Sequence, residues 1–165
     1  MEFSERKHPR LKGYDYSLPG YYYVTIQTAR KDIRLSTVGR GLAPADAVVI
    51  LTPLGQIVRQ QLLALQTRDE FVEIDKYIIM PTHIHAIIRL TEGKAQASTR
   101  PTLMDVVCAY KSLTTRAVNQ VNNTPGQKLF QTSFYETVLR NERAYQECWR
   151  YIDENPQKWL LLLEE

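Results

Sequence analysis

Apolar residues along this chain change their spacing from segment to segment, and the changes sketch an architecture. From Gly20 to Thr28, aromatic and β-branched residues follow the breaker Pro19, as in a strand. Ile33–Val38 and Ala47–Leu51 are short β-like runs around Gly39-Arg40-Gly41 and read as a small hairpin. Thr52-Pro53 then forms an N-cap with proline at the first helical position. Leu54, Ile57, Val58, Leu62 and Leu65 recur at helical spacing, which predicts a helix over 53–66. Phe71–Met80 and His83–Leu90 read as an antiparallel pair of strands parted by Pro81-Thr82. Beyond a polar loop over 91–102, Leu103, Val106, Val107, Tyr110, Leu113, Ala117, Val118 and Val121 form the apolar stripe of a second helix. A Pro-Gly turn and a strand over Leu129–Leu139 follow. Asn141 caps a third helix, predicted to end near Asn155 because Pro156 disfavours helical geometry in the residue before it.

Without the hairpin and the last helix, the order is β-α-β-β-α-β. That is a ferredoxin-like α+β arrangement: one four-stranded sheet with two helices on a single face. The other face is left for a site or for the third helix. A length of 165 residues fits one domain spanning 1–165, with residues 1–19 as a basic arm. Composition adds little to this picture: 44% hydrophobic and 24% charged residues describe an ordinary globular chain. The longest apolar run, Trp159–Leu163, is too short for a membrane span and is expected to dock on the body. No apolar signal region begins the chain, and Cys108 and Cys148 stand far apart, so a cytoplasmic location with reduced thiols is expected.

A net charge of +3 permits a nucleic-acid partner without demanding one. Its distribution says more. Arg6, Lys7, His8, Arg10 and Lys12 crowd the N-terminal arm, which reads either as a solvated tail or as a phosphate-neutralising arm. Lys111 and Arg116 on the second helix are further DNA-binding candidates, or else a solvated face.

The sharpest chemical signal is His83-Ile-His85. Side chains at i and i+2 of a strand share a face, so Ile84, Ala86, Ile88 and Leu90 point one way and His83, His85, Ile87 and Arg89 the other. Two adjacent imidazoles can hold one metal ion, or can simply be hydrogen-bonded core histidines. At ~100° per residue, Ala144, Cys148, Tyr151, Ile152 and Asn155 share one side of the third helix. If that side covers the histidines, a phenol and an amide meet two imidazoles. Hydroxyl plus metal is a recipe for phosphodiester cleavage. The chain has ten tyrosines, however, and spacing alone does not select Tyr151.

The segment MPTHIHAII, Met80–Ile88, resembles the His-hydrophobic-His motif of HUH nucleases. The segments Leu11–Tyr16 (LKGYDY), Tyr22–Ile26, Tyr110–Thr115, Phe130–Glu136 and Tyr151–Pro156 (YIDENP) are similar to those of the REP-associated tyrosine transposases, in family order over nearly the whole chain. The resemblance implies a ferredoxin-like fold, a divalent ion (Mg2+ or Mn2+), and single-stranded or hairpin DNA as substrate. It also implies DNA transposition through a covalent 5′-phosphotyrosine, in a monomer or homodimer. By position it makes Tyr151 the nucleophile and His83, His85 and Asn155 the metal ligands. The Gly39–Asp46 loop departs from the family pattern by being expanded. Two rival readings remain: a DNA-hairpin-binding protein of the same fold that no longer cuts, and an unrelated hydrolase recruiting Glu73 and Asp75 as extra ligands.

Overall fold

The computed structural model describes residues 10–43, 46–93 and 99–164. Six strands and three helices occur among them: β1 Gly20–Gln27, β2 Ser36–Arg40, β3 Ala47–Leu51, α1 Pro53–Arg68, β4 Val72–Ile79, β5 His83–Leu90, α2 Leu103–Asn122, β6 Tyr135–Leu139 and α3 Glu142–Leu163. Four strands form one sheet in the order β4-β5-β1-β6, with antiparallel neighbours throughout, and β2 and β3 make a separate hairpin. This is the ferredoxin-like arrangement with an inserted hairpin that the alternation of elements predicts.

Strand alternation decides the core. Tyr22, Val24 and Ile26 of β1 and Ile84, Ala86, Ile88 and Leu90 of β5 point to one face. There they meet Val58, Leu62 and Leu65 of α1 and Leu103, Val106, Val107 and Tyr110 of α2. The Tyr110 hydroxyl donates to the Val58 carbonyl at 3.0 Å, so the one polar atom of that buried ring also ties α2 to α1. α2 opens with a capping box, in which Thr102 accepts from Asp105 N–H and the Asp105 carboxylate accepts from Thr102 N–H.

Three expectations need correction. The strand over Leu129–Leu139 shortens to Tyr135–Leu139, with one isolated bridge from Phe130 to Thr28. Leu129, Phe130 and Phe134 are buried, but in a loop whose Gln131 and Thr132 carbonyls accept from the Lys111 ammonium instead of a strand ladder. The third helix does not end at Asn155; it runs through Pro156 to Leu163. A mid-helix proline costs about 3 kcal/mol. Ile152 and Pro156 are buried against the body and Trp159 half-buried, and each such side chain returns roughly 1.5–3 kcal/mol when fully buried. The sum favours continuation. Third, only the start of the apolar tail docks: Leu161, Leu162 and Leu163 are exposed.

Residues 10–19 belong to the folded body. The Tyr16 ring lies in the core, its hydroxyl accepts from Leu11 N–H at 2.8 Å, and its carbonyl accepts from Leu103 N–H at 3.0 Å. Arg6, Lys7 and His8 fall outside the described residues. Among the described residues, no helix is long and apolar enough to cross a membrane.

Gly55 makes the closest backbone approach of the glycines. A β-carbon there would run into the Leu35 carbonyl, which already accepts from Thr52 N–H at 3.0 Å. Gly55→Ala is therefore expected to lower stability by about 2 kcal/mol or more, because backbone must move. Thr52→Ala, which removes the N-cap bond to Gly55 N–H, should cost about 1 kcal/mol. Urea unfolding of the two variants checks both the size and the order of these losses.

Candidate metal and tyrosine site

β5 carries both histidines on the face away from α1 and α2, where α3 lies over them. The α3 helix starts at Asn141, whose side chain accepts from Ala144 N–H at 2.8 Å. The exposed pair Arg143–Glu147, at 3.0 Å, supports the first turns. Ile152 and Asn155 then bury the sheet-facing side, and Tyr151 keeps a ring 44% exposed at its flank.

The two imidazoles are neighbours, with ring centroids 4.6 Å apart. His85 is buried. Its Nδ1 faces two hydroxyls from β1, Tyr23 at 2.6 Å and Thr25 at 3.0 Å. This follows from register: Thr25 lies opposite His85, and Tyr23, two residues earlier, points to the same face. With its proton on Nδ1, the ring donates to these oxygens and leaves Nε2 as a bare lone pair, the tautomer that ligation needs. The Tyr23 ring also stacks on His85 at 5.6 Å and 15°. His83 is hydrogen-bonded to the Asn155 side chain.

Burial dominates the electrostatics here. It pushes His83 below the usual imidazole range, an effect partly offset by Asn155. Burial together with the neighbouring His83 lowers His85 to about 3. Both rings are thus neutral near pH 7, which suits ligands rather than acids. The donor set of two imidazole nitrogens and one amide oxygen fits a divalent ion that completes its shell with water or phosphate oxygen. Among the described residues no third His, Cys, Asp or Glu joins them. Asp75 accepts from the Tyr145 hydroxyl at 2.5 Å, and Glu73 pairs with Arg89 at 3.2 Å, so the rival ligand set does not assemble.

Tyr151 meets His85 edge-on, its ring centroid 5.6 Å from that of His85 and 6.4 Å from that of Tyr23. Its hydroxyl has no recorded hydrogen bond among the described residues. Tyr145 differs: its hydroxyl is committed to Asp75, and burial, together with that carboxylate, pushes its pKa up strongly. Two residues missed by the sequence reading also reach the site. Trp159 stands 6.0 Å from His83, and Lys158 lies over the Tyr151 ring at 4.9 Å. Both were out of view because the helix was expected to stop before them.

The basic candidates divide. Arg10 bonds the Phe134 carbonyl at 3.3 Å, covers the Phe134 ring and pairs with the buried Glu136 at 3.6 Å. Lys111 donates to the Gln131 and Thr132 carbonyls at 2.5 and 2.8 Å. Both therefore brace the loop before β6. That loop adjoins the site, since Gln131 N–H bonds the Gln27 carbonyl and Gln27 pairs with His83. Lys128, which the sequence reading passed over, joins it through Thr132. Lys12 and Arg116 are exposed.

The buried neutral His85 predicts a pH effect. Its folded value, about 3, lies below the ordinary 6.5, so the unfolded chain takes up the proton first. Its contribution to stability is complete above about pH 6.5 and is lost as the pH falls toward 3. Metal-free protein should melt at progressively lower temperature across that window, and His85→Gln should show a shallower decline. Equal slopes for the two proteins would contradict a buried neutral imidazole.

Comparison with known proteins adds to this geometry. No family model matches the sequence. An uncharacterized protein of Haemophilus influenzae is 28% identical over 169 residues, covering 93% of this chain and 89% of that protein. A REP-associated tyrosine transposase of Escherichia coli is 29% identical over 110 residues, covering 66% of this chain and 58% of that protein. The solved structure of a REP-associated tyrosine transposase bound to a REP hairpin covers 94% of this chain and 74% of its own, with a TM-score of 0.62 and 23% identity, a likeness of fold. In sequence and in fold together, the chain resembles the REP-associated tyrosine transposases.

Proposed function

We propose that this protein is a metal-dependent single-strand DNA endonuclease and strand transferase of the transposase type. It acts on hairpin or repeat DNA through a covalent 5′-phosphotyrosine at Tyr151. The observation that carries the proposal is an accessible tyrosine, its hydroxyl without a hydrogen bond among the described residues, edge-on to His85, which itself abuts His83. The likeness to a transposase solved with a REP hairpin supports DNA of that class as substrate.

The step is a phosphoryl transfer. The Tyr151 oxygen bonds to phosphorus, and its proton is released to water. The phosphorus–O3′ bond breaks, and the departing oxygen takes its electron pair and a proton to become a 3′-hydroxyl. One phosphoester bond replaces another, so a second 3′-hydroxyl can reverse the step and join strands without a nucleotide cofactor. His83, His85 and Asn155 would hold Mg2+ or Mn2+. When bound, the ion supplies Lewis-acid polarisation of the phosphate. Tyr23 and Thr25 can both accept from a His85 Nδ1–H, which would leave Nε2 for the ion.

Tyr151→Phe removes one oxygen and keeps the ring, so the protein should fold and bind hairpin DNA as before. Covalent protein–DNA adduct on a denaturing gel should disappear, as it should when EDTA is added to wild type. Tyr145→Phe and Tyr135→Phe should still form it. An adduct that survives Tyr151→Phe names another nucleophile, whereas DNA binding without any adduct in wild type favours a hairpin-binding protein that does not cut.

A further inference from the structure

The passage of α3 through Pro156 delivers a cation that the proposed chemistry has not yet used. Lys158 stands seven residues, about two turns, after Tyr151, and so shares its flank of the helix. Its ammonium lies over the Tyr151 ring, 4.9 Å from the centroid. Its other recorded partner is Glu154 at 3.5 Å, an exposed i,i+4 pair of the weak kind.

Three other cations in this part of the molecule have partners of their own, and Arg150, one residue before Tyr151, is exposed and turned about 100° away around α3. Lys76 sits over Trp149 at 3.9 Å and bonds Asp153 at 2.7 Å, and Arg89 is held by Glu73. Lys111 is bound to two carbonyls. Around the reacting centre itself, the recorded contacts of Tyr151, His83 and His85 are with Tyr23, Thr25, Asn155, Trp159 and Lys158. Only the last of these bears a positive charge. The scissile diester carries one negative charge, and bonding of the phenol oxygen with loss of its proton adds a second. A divalent ion on His83, His85 and Asn155 would offset that gain from the sheet side, and Lys158 stands where it can do so from the flank of Tyr151.

We propose that Lys158 is a further catalytic residue, its ammonium exchanging Glu154 for a non-bridging oxygen of the phosphodiester that Tyr151 attacks. The inference rests on the Tyr151 reading. The contact with the ring face holds the ammonium beside the nucleophile before DNA arrives, so little reorganisation is needed when charge develops. Lysine suits the role as a mobile point charge that can follow the phosphate through the transfer.

Two measurements on Lys158→Gln and Lys158→Arg test this, using hairpin oligonucleotides with single-stranded flanks. The side chain is half exposed, so melting temperatures should match wild type. In single-turnover reactions with Mn2+, Lys158→Gln should form adduct about tenfold or more slowly, and Lys158→Arg should recover most of the rate. Separately, on the non-cleaving Tyr151→Phe background, Lys158→Gln should flatten the plot of log affinity against log salt by about 0.7, the loss of one single-strand phosphate contact. An unchanged rate, or an unchanged slope, overturns the proposal. If wild type forms no adduct, the Tyr151 reading fails first; Lys158 as a catalytic residue then falls with it, and a flattened slope identifies only a phosphate contact.

Discussion

The arrangement of β5 is the constraint on which the site depends. Ile84, Ala86, Ile88 and Leu90 are essentially sealed from solvent against α1 and α2. A slip of one residue would turn that whole set outward and bring both histidines into an apolar core. Two imidazoles without partners in the core, and the loss of close packing by four aliphatic side chains, fix the register. Once the register is fixed, His83 and His85 must stand side by side on the opposite face, and Tyr23 and Thr25 must lie beside them.

A sheet face with two imidazoles does nothing until something covers it, and α3 supplies the cover. Its attachment is unusual in that proline sits in the middle. Pro156 deprives the Ile152 carbonyl of its helical donor, yet the helix goes on, because Ile152, Asn155, Pro156 and Trp159 all pack inward. Tertiary burial outweighs a local preference. Asn155 is consequently a mid-helix residue bonded to His83 rather than a helix cap. The C-terminal half of α3 also meets the β2–β3 hairpin, where Arg40 pairs with Glu164.

Polar chemistry around this frame separates into committed and available groups. Tyr145 is held by Asp75, Arg10 by Glu136 and the Phe134 ring, and Lys111 by two loop carbonyls. These are braces. Tyr151 and Lys158 are exposed and loosely engaged beside the His83–His85 pair. A reacting group has to be reachable and a scaffold group has to stay, and burial sorts the two.

Much of this was legible in the order of residues. Period-two alternation located β1 and β5, period 3.6 located α1 and α2, and Thr52-Pro53 marked a helix start, because strand and helix geometry act on neighbours a few positions apart. The same alternation placed His83 and His85 on one face. Local rules failed where distant parts of the chain decide the outcome. The loop at Leu129–Phe134 looks like a strand, but its carbonyls are claimed by Lys111 from another helix. Asn155-Pro156 looks like a helix end, but the underlying sheet rewards continuation. Tyr151 could not be singled out among ten tyrosines by spacing, since Tyr23 is equally near His85 and what sets Tyr151 apart is its exposure at the α3–sheet interface, where the Tyr23 hydroxyl is bound to the imidazole. Sequence determined which side chains share a face of one element; only packing between elements determined which faces meet, because that depends on burial energies summed over residues far apart in the chain.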